Sequence, residues 1–486
     1  MKRIVRFIPL LFTPLVLSSC SLLTDGIGNI LNGITNFTNN TSSSSDNSSN
    51  TSSNSSSNGQ NSSSGSSNGS SSSSSSSSQG GQNTNQDEWT IMVYICGTNL
   101  ESDSRQGGLA SLDIEEMRST PNKPDNVNIV IETGGCSNWH SGVIHGSGTT
   151  RITSGELGRY HIDNNNLVKD GKVSNASMGE GSTLESFLDW GFKTYPAKKY
   201  GLILWNHGGA MDGVCFDDTF DGGGLTADEI DEAVTNSRNR YHINDKLEFL
   251  TYDACIMAIQ DLAEVNSHNF KYMLSSQESE VGEGYDYDAW LPTLYANPTT
   301  VSTKTVLAEI ADTFIEENKN KATDQTQSVF DLSKMTAYKT AFDNFSSGLA
   351  GIINTQGKWD DFASILTSSS VQSYADGDYD IYNLADSAKD VEQRGQGKSL
   401  LGALKKDNTY SSISSQISAL ETALNDVVVH EIHQSGTYGC GMCIAAPVNG
   451  GIVQSTYNQQ TNFRSWYNLC AQYGTWYTSG GGGWSW

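Results

Sequence analysis

The chain has 486 residues and a formal net charge of −25, with 54 acidic against 29 basic side chains. That balance argues against a nucleic-acid partner, because little basic surface is left to neutralise phosphates. It suits an exported protein and a basic substrate, and the length exceeds what one compact unit usually holds.

Residues 1–19 read as an export signal. Lys2, Arg3 and Arg6 form a basic start, and Phe7 to Leu17 form an apolar core too short to span a bilayer. The end of this segment, Leu17-Ser18-Ser19-Cys20, resembles the lipobox of bacterial lipoproteins. That resemblance implies cleavage before Cys20 and a diacylglycerol on its thiol; the alternative is an ordinary signal peptide with an incidental cysteine. Residues 20–86 form a linker, almost wholly Ser, Asn, Thr, Gly and Gln from Asn36 onward. Such a chain has too few apolar groups to offset its entropy, and its reach is about 45 Å. No later apolar run approaches the ~20 residues of a membrane span. The acylated terminus is thus the expected membrane attachment, placing the protein in the bacterial cell envelope, lipid-anchored and facing outside the cytoplasm. With Cys20 removed, seven cysteines remain, so at least one thiol stays unpaired unless it bridges to another molecule.

Residues 87–300 read as an α/β core. Trp89 to Ile95 is a strand closed by Cys96-Gly97-Thr98-Asn99, Gly107 to Ser119 has helical spacing, and Val127 to Ile131 is a second strand. Strand, helix, strand predicts a βαβ unit and a mostly parallel sheet flanked by helices. Thr149 to Ile152 and Arg159 to Ile162 read as short antiparallel strands, and Thr183 to Lys193 as a helix with Thr183 as its N-cap. Two short apolar runs follow, Tyr200 to Trp205 and Leu247 to Tyr252, with the length of buried strands. Between them Thr226 and Glu229 form a capping box that starts a helix, and Asn236 to Tyr241 is polar. Tyr272 to Ser275 is another strand, and an acidic turn runs from Gln277 to Asp288. Residues 301–486 are an α/β extension that completes the unit, ending in a Gly/Trp tail over 480–486. Cys440-Gly441-Met442-Cys443 has redox or zinc spacing, but no second pair exists and Cys443 fits a strand.

The chemistry sits at the ends of the two apolar runs. The first ends in Asn206-His207-Gly208-Gly209, the second in Asp253-Ala254-Cys255. α/β folds place their chemistry on loops leaving the carboxyl edge of such strands. A thiol attacks a carbonyl as thiolate, and an imidazole can take its proton and later give it to the leaving amine. A helix starting at Cys255 would add a dipole that favours thiolate. The bland readings are a buried apolar cysteine and a turn histidine. Their joint placement favours a Cys–His dyad and a thiol acyl transferase or hydrolase.

These two motifs resemble those of the clostripain family of cysteine peptidases, in the caspase–legumain–gingipain group. Trp89-Thr90-Ile91-Met92-Val93-Tyr94, Met178-Gly179, Asp217-Asp218, Leu225-Thr226, Gln277-Glu278 and Asp331-Leu332-Ser333-Lys334-Met335 resemble its other blocks, over about residues 88–450. The resemblance implies a caspase-like fold and cleavage after Arg, or Lys in some members. It casts His207 as base, Cys255 as nucleophile, and the N–H groups of Gly208 and Cys255 as oxyanion hole. It also implies a specificity carboxylate two residues before the Cys, matched by Asp253, and another after the following strand. Glu283 has that separation, with Asp286 and Asp288 as rivals. Family members can cut themselves between the His and the Cys, which makes Arg238 and Arg240 candidate sites. No cofactor is required for the chemistry; calcium is left open, with oxygen ligands in the acidic turn and around Asp217, Asp218 and Asp221 but no EF-hand spacing. The alternative function is a non-catalytic binding or adhesion lipoprotein on a peptidase-like scaffold.

Overall fold

Five apolar runs make the centre of the sheet, because a strand buried on both faces needs apolar side chains on both. They are β1 (Asp87–Cys96), β2 (Val127–Gly134), β5 (Ala197–Trp205), β6 (Leu247–Asp253) and β7 (Phe270–Ser275), all mutually parallel. The computed structural model describes residues 86–103, 108–221, 223–374, 381–446 and 461–476. The export signal with Cys20, the linker up to residue 85 and the Gly/Trp tail lie outside the described residues.

The sheet has nine strands in the order β11-β8-β7-β6-β5-β1-β2-β3-β4. One edge is the antiparallel hairpin β3 (Glu156–Asp163) and β4 (Asn166–Ser174). Its turn is Asn164-Asn165, both at positive φ, the conformation that tight hairpins require. The other edge is β8 (Thr326–Asp331) and β11 (Val428–His433), both antiparallel to their neighbours. Residues beyond 300 therefore continue the sheet of the core.

Alternation along β1 feeds two layers. Met92, Tyr94 and Cys96 join a core with α3 (Gly181–Thr194), α4 (Ala227–Arg240) and α8 (Met335–Gln356). Ile91, Val93 and Ile95 join the opposite core with α2 (Leu109–Ser119), α6 (Tyr287–Ala296) and α7 (Thr303–Asn318). The result is a sheet covered by helices on both faces, as expected. The remaining helices are α1 (Thr98–Ser102), α5 (Gln260–Asn266), α9 (Trp359–Leu366), α10 (Ala388–Arg394), α11 (Leu400–Lys406), α12 (Ser414–Val427) and α13 (Arg464–Trp476). A small sheet of β9 (Ser373–Tyr374), β10 (Ile381–Asn383) and β12 (Cys443–Ala445) props the loop after β6 through Cys443 N–H to Ala258 O at 2.8 Å.

Three local expectations differ from the structure. Thr149 to Ile152 is irregular: β3 and β4 pair with each other through their Asn-Asn turn, and the segment touches β4 through Thr150 N–H to Leu167 O at 2.8 Å without forming a strand. Helix α3 starts earlier, with Glu180 at the N-cap and Thr183 inside the first turn. The helix after β6 begins at Gln260, five residues beyond Cys255. Its dipole thus does not act at the sulfur.

Candidate active site

Strand order sets the site. The chain runs from β1 to β2 on one side and returns to β5 on the other, so β1 and β5 flank the point where the order reverses. Crevices at such points, beyond the carboxyl ends, are where open α/β sheets bind ligands. Asn99 follows β1, His207 follows β5, and Cys255 follows β6. In register, Trp205 stands beside Asp253, and Asn206 N–H donates to Asp253 O at 3.3 Å.

The His and Cys loops touch through a glycine. A Cβ at Gly208 would stand 2.1 Å from the carbonyl oxygen of Cys255, so no other residue allows this approach. Residues 254–259 are irregular, held by Ile256 N–H to Glu278 O (3.2 Å) and Ala258 N–H to Ser276 O (2.9 Å). Cys255 is buried, and its Sγ accepts from Glu280 N–H at 3.2 Å, a donor suited to a thiolate.

His207 is buried, with Nε2 2.7 Å from Asn99 Oδ1. Its Nδ1 is buried and has no hydrogen-bond partner. Burial pushes the imidazole down to about 4, so the ring is neutral at ambient pH and ready to accept a proton.

Both groups line one cavity with Leu100, Trp205, Asp253, Glu280, Val281 and Gly284. Its free space is about 20 Å³, room for about one ordered water. Asp253 accepts from Tyr287 O–H at 2.9 Å and Tyr285 N–H at 3.2 Å, yet burial still lifts its carboxyl to about 7. Burial, then the charge of Asp253, raises Glu280 as well, although Gln327 Nε2 donates to it. Gly284, at φ +62°, makes room for this pair: a Cβ there would lie 2.6 Å from Asp253 Oδ1.

The other sequence-derived residues fall elsewhere. Glu283 is half exposed and 3.7 Å from Lys321 Nζ, outside the cavity lining. Asp286 caps α6 by accepting from Ala289 N–H at 3.2 Å. Arg238 and Arg240 form the last turn of α4; Arg238 donates to Asn269 Oδ1 and Arg240 to Glu185 and Asp189. Asp217 is spent on N–H and O–H donors of Met178 and Thr219, and among the described residues no three metal-ligating side chains converge.

Sequence reasoning did not single out Asn99, Asn206 or Glu280. The signal for Asn99 was its place at the end of the first strand. For Glu280 it was a carboxylate beside Val281 and Gly282 in the acidic turn.

A covered, mostly parallel sheet with Cys and His on neighbouring strand ends defines a cysteine endopeptidase of the caspase-like class. The clostripain-family profile matches residues 93–479, and the chain belongs to that family. It is similar to clostripain from Hathewaya histolytica, 23% identical over 465 residues that cover 79% of this chain and 80% of that one. Its fold is similar to a secreted C11 cysteine protease from Bacteroides thetaiotaomicron solved with an irreversible peptide inhibitor (TM-score 0.52, 17% identity, covering 79% of this chain and 99% of that one). It is also similar to an inactive zymogen C11 protease from Parabacteroides distasonis (TM-score 0.52, 14% identity, covering 78% and 99%). The family and fold expected from the motifs are those found.

Proposed function

We propose that this protein is an exported, lipid-anchored cysteine endopeptidase that cleaves polypeptides after Arg or Lys, with Cys255 as nucleophile and His207 as base. One observation carries the reading: a single cavity is lined by the thiol-bearing residue, a neutral imidazole and two buried carboxylates. His207 takes the proton of the Cys255 thiol, and Sγ bonds to the substrate carbonyl carbon. The oxygen, now negative, is held by the N–H groups of Gly208 and Cys255. The imidazolium protonates the departing amine as the C–N bond breaks, leaving a thioester. Water, deprotonated by His207, then attacks the thioester, releasing the carboxylic acid and the thiol.

Asp253 and Glu280 supply the negative lining that a guanidinium or ammonium group needs. The free space is small, so the irregular segment 279–286 must widen to admit a long side chain. Anchoring rests on the lipobox at Cys20, and among the described residues no helix is long and apolar enough to cross a membrane. The test is turnover of an Arg-ending chromogenic amide by reduced protein. Cys255→Ala is expected to abolish it, and activity surviving that change would refute the mechanism. Labelling with a radioactive fatty acid, lost in Cys20→Ala, checks the anchor.

A further inference from the structure

We propose that Asn99 is the positioning residue of the site: its side-chain oxygen holds His207 as the Nε2–H tautomer and leaves Nδ1 as the base for Cys255. This rests on the dyad reading above and adds the residue that decides which ring nitrogen works.

The polarity is read from the hydrogen bonds outside the ring. Phe216 N–H can only donate, and it gives to Asn206 Oδ1 at 2.9 Å. The other end of that amide is therefore Nδ2, which donates to Cys96 O at 2.7 Å and to Thr98 Oγ1 at 3.0 Å. Having accepted there, the Thr98 hydroxyl sends its own hydrogen to Asn99 Oδ1 at 3.3 Å. Asn99 Oδ1 is thus an acceptor. The nitrogen 2.7 Å from it must carry a hydrogen, which fixes the proton on Nε2. Nδ1 is left as a bare lone pair, buried and without a partner, on a ring that lines the same cavity as Cys255.

The loop carrying Asn99 is held against strain. Thr98 is β-branched and sits at φ +46°, a conformation such residues rarely adopt. It is kept there by the Asn206 amide, by its own N–H to Gly135 O at 3.0 Å, and by Asp218, which accepts from the Asn99 backbone N–H. Strain of this kind clusters where a group must be held for function. The remaining titratable groups near the ring are Asp253, Glu280 and Cys255 in the cavity and Asp218 behind Asn99.

The test uses the full mature chain, reduced, with an Arg-ending amide. Asn99→Ala is expected to lower kcat about 10- to 100-fold with little change in KM. Asn99→Asp keeps an acceptor at the same place and should recover part of kcat. Its carboxylate favours the imidazolium, so the acid limb of kcat should move up by about one pH unit or more. Nitrogen-15 NMR of the imidazole in Cys255→Ala protein should show the proton on Nε2, and a mixture of tautomers once Asn99→Ala is added. An unchanged kcat and acid limb in Asn99→Ala, or a proton on Nδ1 in the protein that keeps Asn99, would overturn the proposal. If Asn99→Ala does not fold, the Asn99→Asp profile and the NMR of the Cys255→Ala protein decide. Activity surviving Cys255→Ala would sink the dyad reading instead, and the tautomer would still be readable.

Discussion

Replacing Asp253 with Asn should separate substrate recognition from stability. The carboxyl is almost fully buried and its folded pKa is about 7, against about 3.9 for an unperturbed aspartate. The sign follows from the direction of that shift. A raised carboxyl pKa means the folded state holds the proton more tightly than the unfolded one. Its penalty is absent below about pH 4, grows as pH rises from about 4 to 7, and is constant above. At 1.36 kcal/mol per unit, the ionised Asp253 costs the fold on the order of 4 kcal/mol at pH 8. Asn removes that titration while filling the same volume, with some of the gain lost where its amide N–H₂ replaces an acceptor of the Tyr287 hydroxyl. Asp253→Asn should therefore melt close to wild type at pH 5 and several degrees above it at pH 8. On the proposed specificity, the same change removes one of two carboxyls that face the cationic side chain of the substrate. Loss of about 2–3 kcal/mol of pairing predicts a roughly 30- to 150-fold fall in kcat/KM on an Arg-ending amide, the remainder being carried by Glu280. Thermal unfolding at both pH values and steady-state kinetics at pH 8 read the two effects. Wild-type kcat/KM in the variant would refute the pocket assignment; a stability difference that does not grow from pH 5 to pH 8 would refute the burial argument.

Gly208→Ala should cut kcat about 100-fold and destabilise by about 1–3 kcal/mol, because its Cβ would push the His and Cys loops apart at the Cys255 carbonyl; kinetics and denaturant unfolding check it, and near wild-type turnover would show that the two loops can separate freely. Self-cleavage after Arg238 or Arg240 requires the last turn of α4 to unwind and their pairings with Asn269, Glu185 and Asp189 to break. Folded protein should keep that segment intact, and a new N-terminus at 239 or 241 in purified active enzyme would contradict this.

What was legible in the sequence was whatever a strand's own composition encodes. β5 and β6 are apolar runs, so His207, Asp253 and Cys255 could be placed at strand ends, and the capping box at Thr226 is present. Periodicity does not record which strands become neighbours. Asn99 is 108 residues from His207 and reaches it only because β1 lies beside β5. Glu280 belongs to an irregular segment with no periodic signal, so its burial depends on contacts with Gln327 and the Cys255 loop. The end of α4 was hidden for a related reason. A polar last turn looks like a loop until the acids of α3 that pair with Arg240 are brought alongside.

The same topology explains why the site tolerates so many buried polar groups. Asn206, His207, Asp253 and Glu280 are all withdrawn from water, which costs free energy unless each finds a partner. The partners come from separate strands: Cys96 at the end of β1 and Thr98 after it, Phe216 after β5, Tyr285 and Tyr287 beyond β7, Gln327 on β8. No single segment could satisfy the set, so the polar network forms only when the sheet order is complete. The neutral imidazole and the pair of buried carboxyls therefore appear together, as consequences of folding rather than of any local motif.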